Sequence, residues 1–404
     1  MPYPIHGDEI AADSLASGEG AGRRRFVGGV ALTTAALAAG VIRFAPTWDD
    51  VPVHLDDAPA SPASAEPMAL PPPPPPRPVQ HGPQTRQEWF AFRQRYVTPE
   101  GRVLDTGNGN ESHSEGQGWA MMASQACDDP AMFATLLKWT TQNLRCRPYD
   151  TLHAWRYRPR DANPVSDMNN ATDGDLFIAA ALARAAVRWN RPDYAAAAAR
   201  LSQDILGLVR KAGARTVLLP GAAGFEFADA YTVNPSYYAF ALFPDLAALA
   251  PSPLWDLLRQ DGLALVLQAR FGQWMLPPDW VRVGRHDGAL SIAMGWPARF
   301  SFDAIRVPLH LVWGQLPAAP LFESFRRYWQ TPRPMPPAWV DLRTGVVAPY
   351  PASPGVESVA KIVTSPDNMG TTVALPHVIG TADYYSAGLV LLSRIAAGER
   401  SAAT

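Results

Sequence analysis

Three acidic stretches hold the side chains that could do chemistry in this chain. Glu115 lies within the letters SEGQGWAM, Asp173 within NATDGDL and Asp303 within RFSFDAIRVP. Hydrolysis of a glycosidic bond needs one protonated carboxyl group to release the leaving oxygen, and one ionised carboxylate to act on water or on the sugar. The three stretches supply carboxyl groups from which such a pair could be formed.

Each carboxylate also has an ordinary structural interpretation. Glu115 could cap a helix, while Asp173 and Asp175 could cap the next one or bind a cation at its N-terminus. Asp303 could simply pair with Arg306 one helical turn later, although the same pairing could hold a catalytic carboxylate in one orientation. A calcium site needs more oxygen ligands than the apolar helix after Asp175 provides, so we expect no metal.

A role as general acid requires a raised pKa at Glu115. A carboxyl group at a helix start is stabilised as an anion, which opposes proton donation near neutral pH. Neighbouring carboxylates and burial against Trp119 would therefore have to raise its pKa. The adjacent glycines let the backbone approach a bulky sugar, and the amide of Gln117 offers donors and acceptors for sugar hydroxyl groups.

Aromatic residues in the predicted loops are candidates for binding a long sugar chain. The flat apolar faces of β-1,4-linked chains pack on aromatic rings with little directional demand. The chain has 13 tryptophans, so many of its rings must belong to an ordinary core. The candidate aromatic sugar contacts are Trp155, Tyr157, Tyr237, Trp280 and Tyr384. The polar candidates for sugar contact are Gln117, Asp175 and Arg306.

Composition and motifs argue against several other classes of function. A formal net charge of −2 lacks the basic surplus that nucleic-acid-binding proteins usually have. No G-x-S-x-G elbow, phosphate-binding loop or dinucleotide-binding glycine pattern occurs, and the eight histidines are scattered. We therefore expect neither an organic cofactor nor a nucleic-acid partner.

The first 84 residues differ in composition from the rest of the chain. Three arginines at 23–25 precede an apolar run over 26–42, in the order of a twin-arginine export signal, so residues 1–45 are predicted to be a signal or a membrane anchor. The run is at the short limit for spanning a bilayer and lacks a clear cleavage site, so both fates stay open. Residues 46–84 are proline-rich and predict a solvated linker. We expect an exported protein, periplasmic or secreted, tethered to the inner membrane if the segment is kept.

Residues 85–404 are predicted to form one catalytic domain of the all-α class. Two strand signals, at 217–219 and 280–283, are short. Ten helical segments and two irregular helices between 350 and 380 would pair into a closed (α/α)6 toroid with a few short strands in its loops. An open solenoid would need a repeated signature that is absent. The ten segments are 86–96, 116–126, 130–145, 172–190, 192–211, 236–249, 253–271, 302–313, 318–330 and 381–397.

The two cysteines, Cys127 and Cys146, lie on neighbouring predicted helices. Their spacing to histidine does not match a metal site. A disulfide and a pair of buried free thiols both remain compatible with the sequence.

The three acidic stretches resemble the corresponding segments of glycoside hydrolase family 8, over roughly residues 86–398. Shorter segments agree in the same order along the chain: AWRY (154–157), LLPG (218–221), NPSY (234–237), PDWVR (278–282) and DYY (383–385). The resemblance implies that Glu115 is the general acid, that Asp303 deprotonates the attacking water, and that Asp173 holds and distorts the sugar. Two departures, Trp119-Ala120 for the more usual Tyr-Gly and His113 before the serine, remove no catalytic group.

The resemblance is strongest to periplasmic endoglucanases encoded beside bacterial cellulose synthases. It implies an inverting, endo-acting hydrolase of β-1,4-glucan, with association to a cellulose synthase complex as a further expectation. Chitosan, xylan and mixed-linkage glucan remain alternative substrates. A catalytically silent glucan-binding subunit is the alternative from another class, but binding alone would not require an acid and a base.

Overall fold

The computed structural model describes residues 79–332, 336–365 and 374–403. The expected export segment and most of the proline-rich linker lie outside these residues. Within the described residues, no helix is both long enough and apolar enough to span a membrane.

Helices dominate the described residues. Their bounds are α1 (Pro83–Tyr96), α2 (Ser114–Ala126), α3 (Pro130–Asn143), α4 (Thr172–Arg188), α5 (Pro192–Leu206), α6 (Phe243–Leu249), α7 (Pro253–Gln268), α8 (Arg306–Trp313), α9 (Ala319–Gln330), α10 (Pro354–Thr364) and α11 (Tyr384–Ala403). Short 3-10 turns occur at Pro235–Tyr237 and Val378–Gly380.

The strands are short and lie in the connections between helices, where all of their pairings are antiparallel. They are β1 (Ser112–His113) with β2 (Arg156–Tyr157), β3 (Val209–Ala212) with β4 (Arg215–Leu218), β5 (Ala230–Val233) with β6 (Val281–Gly284) and β7 (Leu290–Ile292), and β8 (Arg299–Phe300) with β9 (Val340–Asp341).

An inner set of helices, most of them largely buried, forms a closed ring. Every residue of α2 except Glu115 is buried, and so is every residue of α8. Contacts run from α2 to α4, on to α6 and the 3-10 turn before it, then to α8, to α11 and back to α2. This closure confirms the predicted all-α toroid.

Helices on the outside bury one stripe only. In α5 the buried positions are Tyr194, Ala198, Leu201, Ser202 and Ile205, the three-and-four spacing of a helix packed on one side. This helix packs against α4. The apolar periodicity that predicted the helices is therefore the pattern by which the outer layer covers the inner ring.

Several predicted helix bounds were wrong. The segment 236–249 is a 3-10 turn followed by α6, because the backbone leaves helical geometry at Tyr238 (φ −80°, ψ 72°). The segment expected to start at 302 begins instead at Arg306, and the residues before it form turns. The helix predicted over 192–211 ends at Leu206, because the residues from 209 onward form β3, which pairs with β4.

Two glycines let α2 and α4 cross closely at the end that carries the acidic residues. A Cβ atom on Gly118 would lie 2.7 Å from the Cβ of Phe177 and 3.0 Å from the carbonyl oxygen of Gly174. A Cβ on Gly174 would lie 2.7 Å from the backbone nitrogen of Glu115. Real Cβ atoms do not approach other atoms this closely, so larger residues at either position would push the two helix starts apart.

Both cysteines are free thiols. Cys127 is buried, which raises the pKa of its thiol to about 12, and Cys146 is exposed. The thiols are therefore free, but of the two that were expected to be buried only Cys127 is buried.

Candidate active site

The guanidinium of Arg306, at the start of α8, joins the three acidic stretches. Its Nη1 donates to Glu115 and, over 2.9 Å, to Oδ2 of Asp173. Its Nη2 donates over 2.6 Å to Oδ1 of Asp303 and over 3.0 Å to the hydroxyl oxygen of Ser236. Residues more than 190 positions apart along the chain thus meet on one planar cation, at the end of the ring where α2, α4 and α8 begin.

Burial divides these four charged groups into two pairs. The side chains of Arg306 and Asp173 are 3% exposed, whereas those of Glu115 and Asp303 are 15% and 23% exposed. The first pair therefore forms the floor of the site. Glu115 and Asp303 keep the exposed surface that a substrate and a water molecule would need.

The environment of Glu115 favours its protonated form. Burial is the largest effect and raises the pKa of this carboxyl to about 7, with the nearby charges of Asp173 and Asp303 adding to it. Arg306 acts in the opposite direction but does not cancel the effect of burial. A carboxyl with this pKa still holds its proton near neutral pH and can donate it.

Two consecutive tyrosines at the start of α11 hold both sides of the site. The hydroxyl group of Tyr384 donates to Oε1 of Glu115 over 3.0 Å. The hydroxyl group of Tyr385 donates to the backbone carbonyl of Phe302, next to Asp303. One helix terminus therefore contacts the candidate acid directly and the candidate base through its neighbour.

Tyr237 and the residues around it complete the floor. Its ring centroid lies 5.7 Å from the guanidinium carbon of Arg306, and Trp119 lies at 5.8 Å from the same carbon. Ring faces near a buried guanidinium add favourable electrostatic contacts. The structure thus places Tyr237 at the carboxylate cluster.

Trp155 and Tyr157 lie beside β1, and Trp155 is only 8% exposed, like Trp280. The indole of Trp155 donates to Asp167 over 2.9 Å and is stacked on His113 with ring centroids 5.9 Å apart. Tyr157 is half-buried against Trp139 in an edge-to-face contact. Their position along β1 and β2 leads directly into the start of α2, which carries Glu115.

Trp280 offers little ring surface to a ligand. It is 8% exposed and is stacked on Trp296 at 4.0 Å and on Phe225 at 5.6 Å between ring centroids. Trp296 is half-buried and therefore presents more open surface than Trp280. The sequence interpretation missed Trp296, although its Gly-Trp-Pro context marks a loop aromatic.

Gln117 is not placed to contact a sugar, which corrects the sequence interpretation. It is fully buried, its oxygen accepts from the backbone of Val103 over 2.6 Å, and its amide donates to Gly101 and Thr140. The physical reason is that its position on α2 faces α3 and residues 101–103, on the outer side of the ring. Its amide groups are satisfied inside the protein.

Asp175 is likewise a structural residue and not a sugar contact. Its carboxylate is fully buried and accepts from the backbone and ring nitrogens of His153 and from Asn170. These bonds fix the loop before α4. Two residues after Asp173, the side chain leaves the helix on a different face, which spacing alone could have indicated.

The sequence interpretation also missed Ser236, Tyr385 and Asp279, which contact the site or its supporting turn. Each lies within one of the short segments NPSY, DYY and PDWVR, so the segments were informative although the residues were not singled out. No group of three or more His, Cys, Asp or Glu side chains in residues 79–332, 336–365 and 374–403 is arranged to hold a metal ion.

Comparisons with known proteins identify a family for this chain. Residues 80–399 match the family Glycosyl hydrolases family 8. A probable endoglucanase of Novacetimonas hansenii is 46% identical over 317 residues, which cover 78% of this chain and 91% of that protein. The endoglucanase of Cellulomonas uda is 40% identical and covers 67% of this chain and 75% of its own.

A solved structure is similar over the same part of the chain. The endo-β-1,4-glucanase of Acetobacter xylinum superposes with a TM-score of 0.74 at 46% identity, covering 79% of this chain and 99% of that one. The match by a single family spans the whole described domain, including all three acidic stretches. The chain therefore belongs to family 8 of the glycosyl hydrolases.

Proposed function

We propose that the protein is an inverting endo-β-1,4-glucanase in which Glu115 is the general acid and Asp303 the general base. The observation that carries the proposal is the Arg306 cluster, which gathers the acid, the base and Asp173 at one end of the ring. The relatives named as endoglucanases support the substrate class.

The reaction begins with transfer of the proton of Glu115 to the glycosidic oxygen as the bond to the anomeric carbon breaks. Asp303 takes a proton from a water molecule, which attacks that carbon from the opposite face of the ring. Asp173 accepts hydrogen bonds from a sugar hydroxyl group at the point of cleavage. Arg306 balances the charge of the three carboxylates and stabilises the anion that Glu115 becomes after donation.

The proposed role in the cell is hydrolysis of glucan after export, directed by residues 1–45. Association with a cellulose synthase complex and anchoring through residues 26–42 are part of this proposal and rest on sequence alone. A silent glucan-binding subunit is less well supported, because simple binding gives no reason to hold two partly exposed carboxyl groups, Glu115 and Asp303, on one guanidinium.

The substrate class is tested by measuring reducing ends released from carboxymethyl cellulose, chitosan and xylan. We expect release from carboxymethyl cellulose, and loss of that release in Glu115→Gln. Preferential release from chitosan or xylan would replace the glucan assignment while keeping the hydrolase. No release from any of the three would favour the silent subunit.

A matched control is Asp245→Asn, another buried carboxylate of the ring. Asp245 pairs with Arg184 over 2.7 Å. Arg184 lies in the later part of α4, far along that helix from Asp173. Its loss should reduce stability and leave turnover by the folded protein unchanged. Equal losses of turnover in the two variants would mean that Glu115 acts through folding.

A further inference from the structure

We propose that Asp279 is a positioning residue that holds the base-bearing turn, residues 301–305, so that Asp303 faces the attacking water. The inference rests on the proposed role of Asp303 as base. It assigns a function to a carboxylate that lies outside the Arg306 cluster.

The base-bearing turn needs support because Asp303 is not on a regular helix. The turn is closed by the backbone bond from Ile305 to Ser301 at 2.9 Å, and α8 begins only at Arg306. A side chain on a turn is less restrained than one within a helix. A general base displaced by about 1 Å can lose on the order of 100-fold in rate.

Asp279 binds this turn on both sides of Asp303. Its Oδ1 accepts the backbone N–H of Ser301 at 3.0 Å and that of Ala304 at 2.7 Å. Its Oδ2 accepts the hydroxyl group of Ser301. Neither of these backbone N–H groups is used to close the turn itself, so the carboxylate completes the turn's hydrogen bonding from outside.

Asp279 is itself firmly fixed. It directly precedes Trp280 and β6, its own N–H donates to the carbonyl of Arg299 at 2.8 Å, and its side chain is buried. A buried carboxylate is costly unless its oxygens are bonded. Three hydrogen bonds from Ser301 and Ala304 offset that cost. The carboxylate of Asp279 therefore links the start of β6 to the turn that carries Asp303.

The opposite side of the turn is held by Tyr385. Its hydroxyl group donates to the carbonyl of Phe302, between the two residues that Asp279 binds. The turn therefore has one contact from α11 and three from Asp279. Asp279 supplies the acceptor for the N–H groups of Ser301 and Ala304, on either side of Asp303.

The test uses azide as a nucleophile that needs no base. With an aryl cellotrioside, azide can attack the anomeric carbon as the bond to the phenolate oxygen breaks, giving an inverted glycosyl azide and a phenolate. We expect Asp279→Ala to lower kcat by about 100-fold while KM stays within about threefold. Azide should restore its turnover, as it should in Asp303→Ala. Asp245→Asn is the control, with kcat near the parent value and no response to azide.

The outcomes distinguish the proposed role of Asp303 as base from the proposed role of Asp279 as a positioning residue. If azide fails to rescue Asp303→Ala, the proposed function of Asp303 fails. If it rescues Asp303→Ala but not Asp279→Ala, the positioning role is overturned. Should Asp279→Ala not fold, Asp279→Asn and Ser301→Ala carry the same test, with a smaller loss of kcat of about tenfold expected and the same rescue by azide. An unchanged kcat in these two variants would also overturn it.

Discussion

At the scale of single residues, one cation organises the chemistry. Glu115 sits at a helix N-terminus, where an anion is favoured, and pairs with Arg306, yet burial still raises its pKa to about 7. Removal from water therefore outweighs the attraction of the guanidinium. Replacing the carboxyl group of Glu115 should lower turnover without weakening glucan binding, because the rest of the cleft is unchanged.

Glu115→Gln should lower kcat by about 10²- to 10⁴-fold, because the amide keeps the shape of the side chain but cannot deliver a proton. Affinity for the polymer, measured by pull-down with insoluble cellulose, should remain close to that of the parent. Loss of binding or of the cooperative thermal transition would identify Glu115 as a structural residue.

The raised pKa of Glu115 predicts the alkaline side of the pH profile. The acid must be protonated to act, so kcat/KM should fall as pH rises through about 7. The charge of Asp173 contributes to the raised pKa of Glu115, so the fall in kcat/KM, the alkaline limb of the profile, should move to lower pH in Asp173→Asn. A limb that stays in place or moves to higher pH in this variant would contradict the assignment of Glu115.

At the scale of elements, the sequence predicted helices well and their ends poorly. The inner helices α2 and α4 were expected from 116 and 172, and both begin within two residues of those positions. The turn before α8 could not be predicted, because its geometry depends on Asp279 and Tyr385, which are distant in sequence. Gln117 and Asp175 were misassigned for a related reason: their types suit a sugar, but their positions on the helices point inward.

Gly174→Ala tests the close crossing of α2 and α4. The new Cβ at residue 174 would lie against the first turn of α2. The change should therefore lower the free energy of unfolding by about 1–3 kcal/mol, and it should lower kcat by displacing Glu115. Gly380→Ala is the matched control, since a Cβ at that position meets no atom within 4 Å. The free energy of unfolding measured in urea and kcat should both fall in Gly174→Ala. Both should stay near the parent values in Gly380→Ala. Equal behaviour would mean that the crossing tolerates a side chain.

At the scale of the whole molecule, the two ends of the ring serve different purposes. Glu115 and Asp173 lie at the starts of α2 and α4, while Arg184, late in α4, binds Asp245 over 2.7 Å and Glu399 over 2.8 Å. The indole of Trp313 also donates to Glu399 over 2.6 Å. This second ionic cluster ties α4, α6, α8 and α11 together, so it closes the ring without contacting the Arg306 cluster.

Arg184→Leu should therefore affect stability and not chemistry. It leaves two largely buried carboxylates without their cation, which should reduce the free energy of unfolding by about 3–5 kcal/mol. Turnover per folded molecule, measured well below the unfolding temperature, should stay near the parent value. A large loss of kcat with unchanged stability would show that the two ends of the ring are coupled.

The stereochemistry of the first product distinguishes inversion from retention at the anomeric carbon. If Glu115 is the acid and Asp303 activates water, their carboxyl groups work across a gap of about 6.5–9.5 Å, and the configuration at the anomeric carbon inverts. Proton NMR of the anomeric signals during the first turnovers, before mutarotation, should reveal the α-anomer from a β-linked glucan. A β-anomer appearing first would mean retention, and Asp303 could then not be a base acting on water.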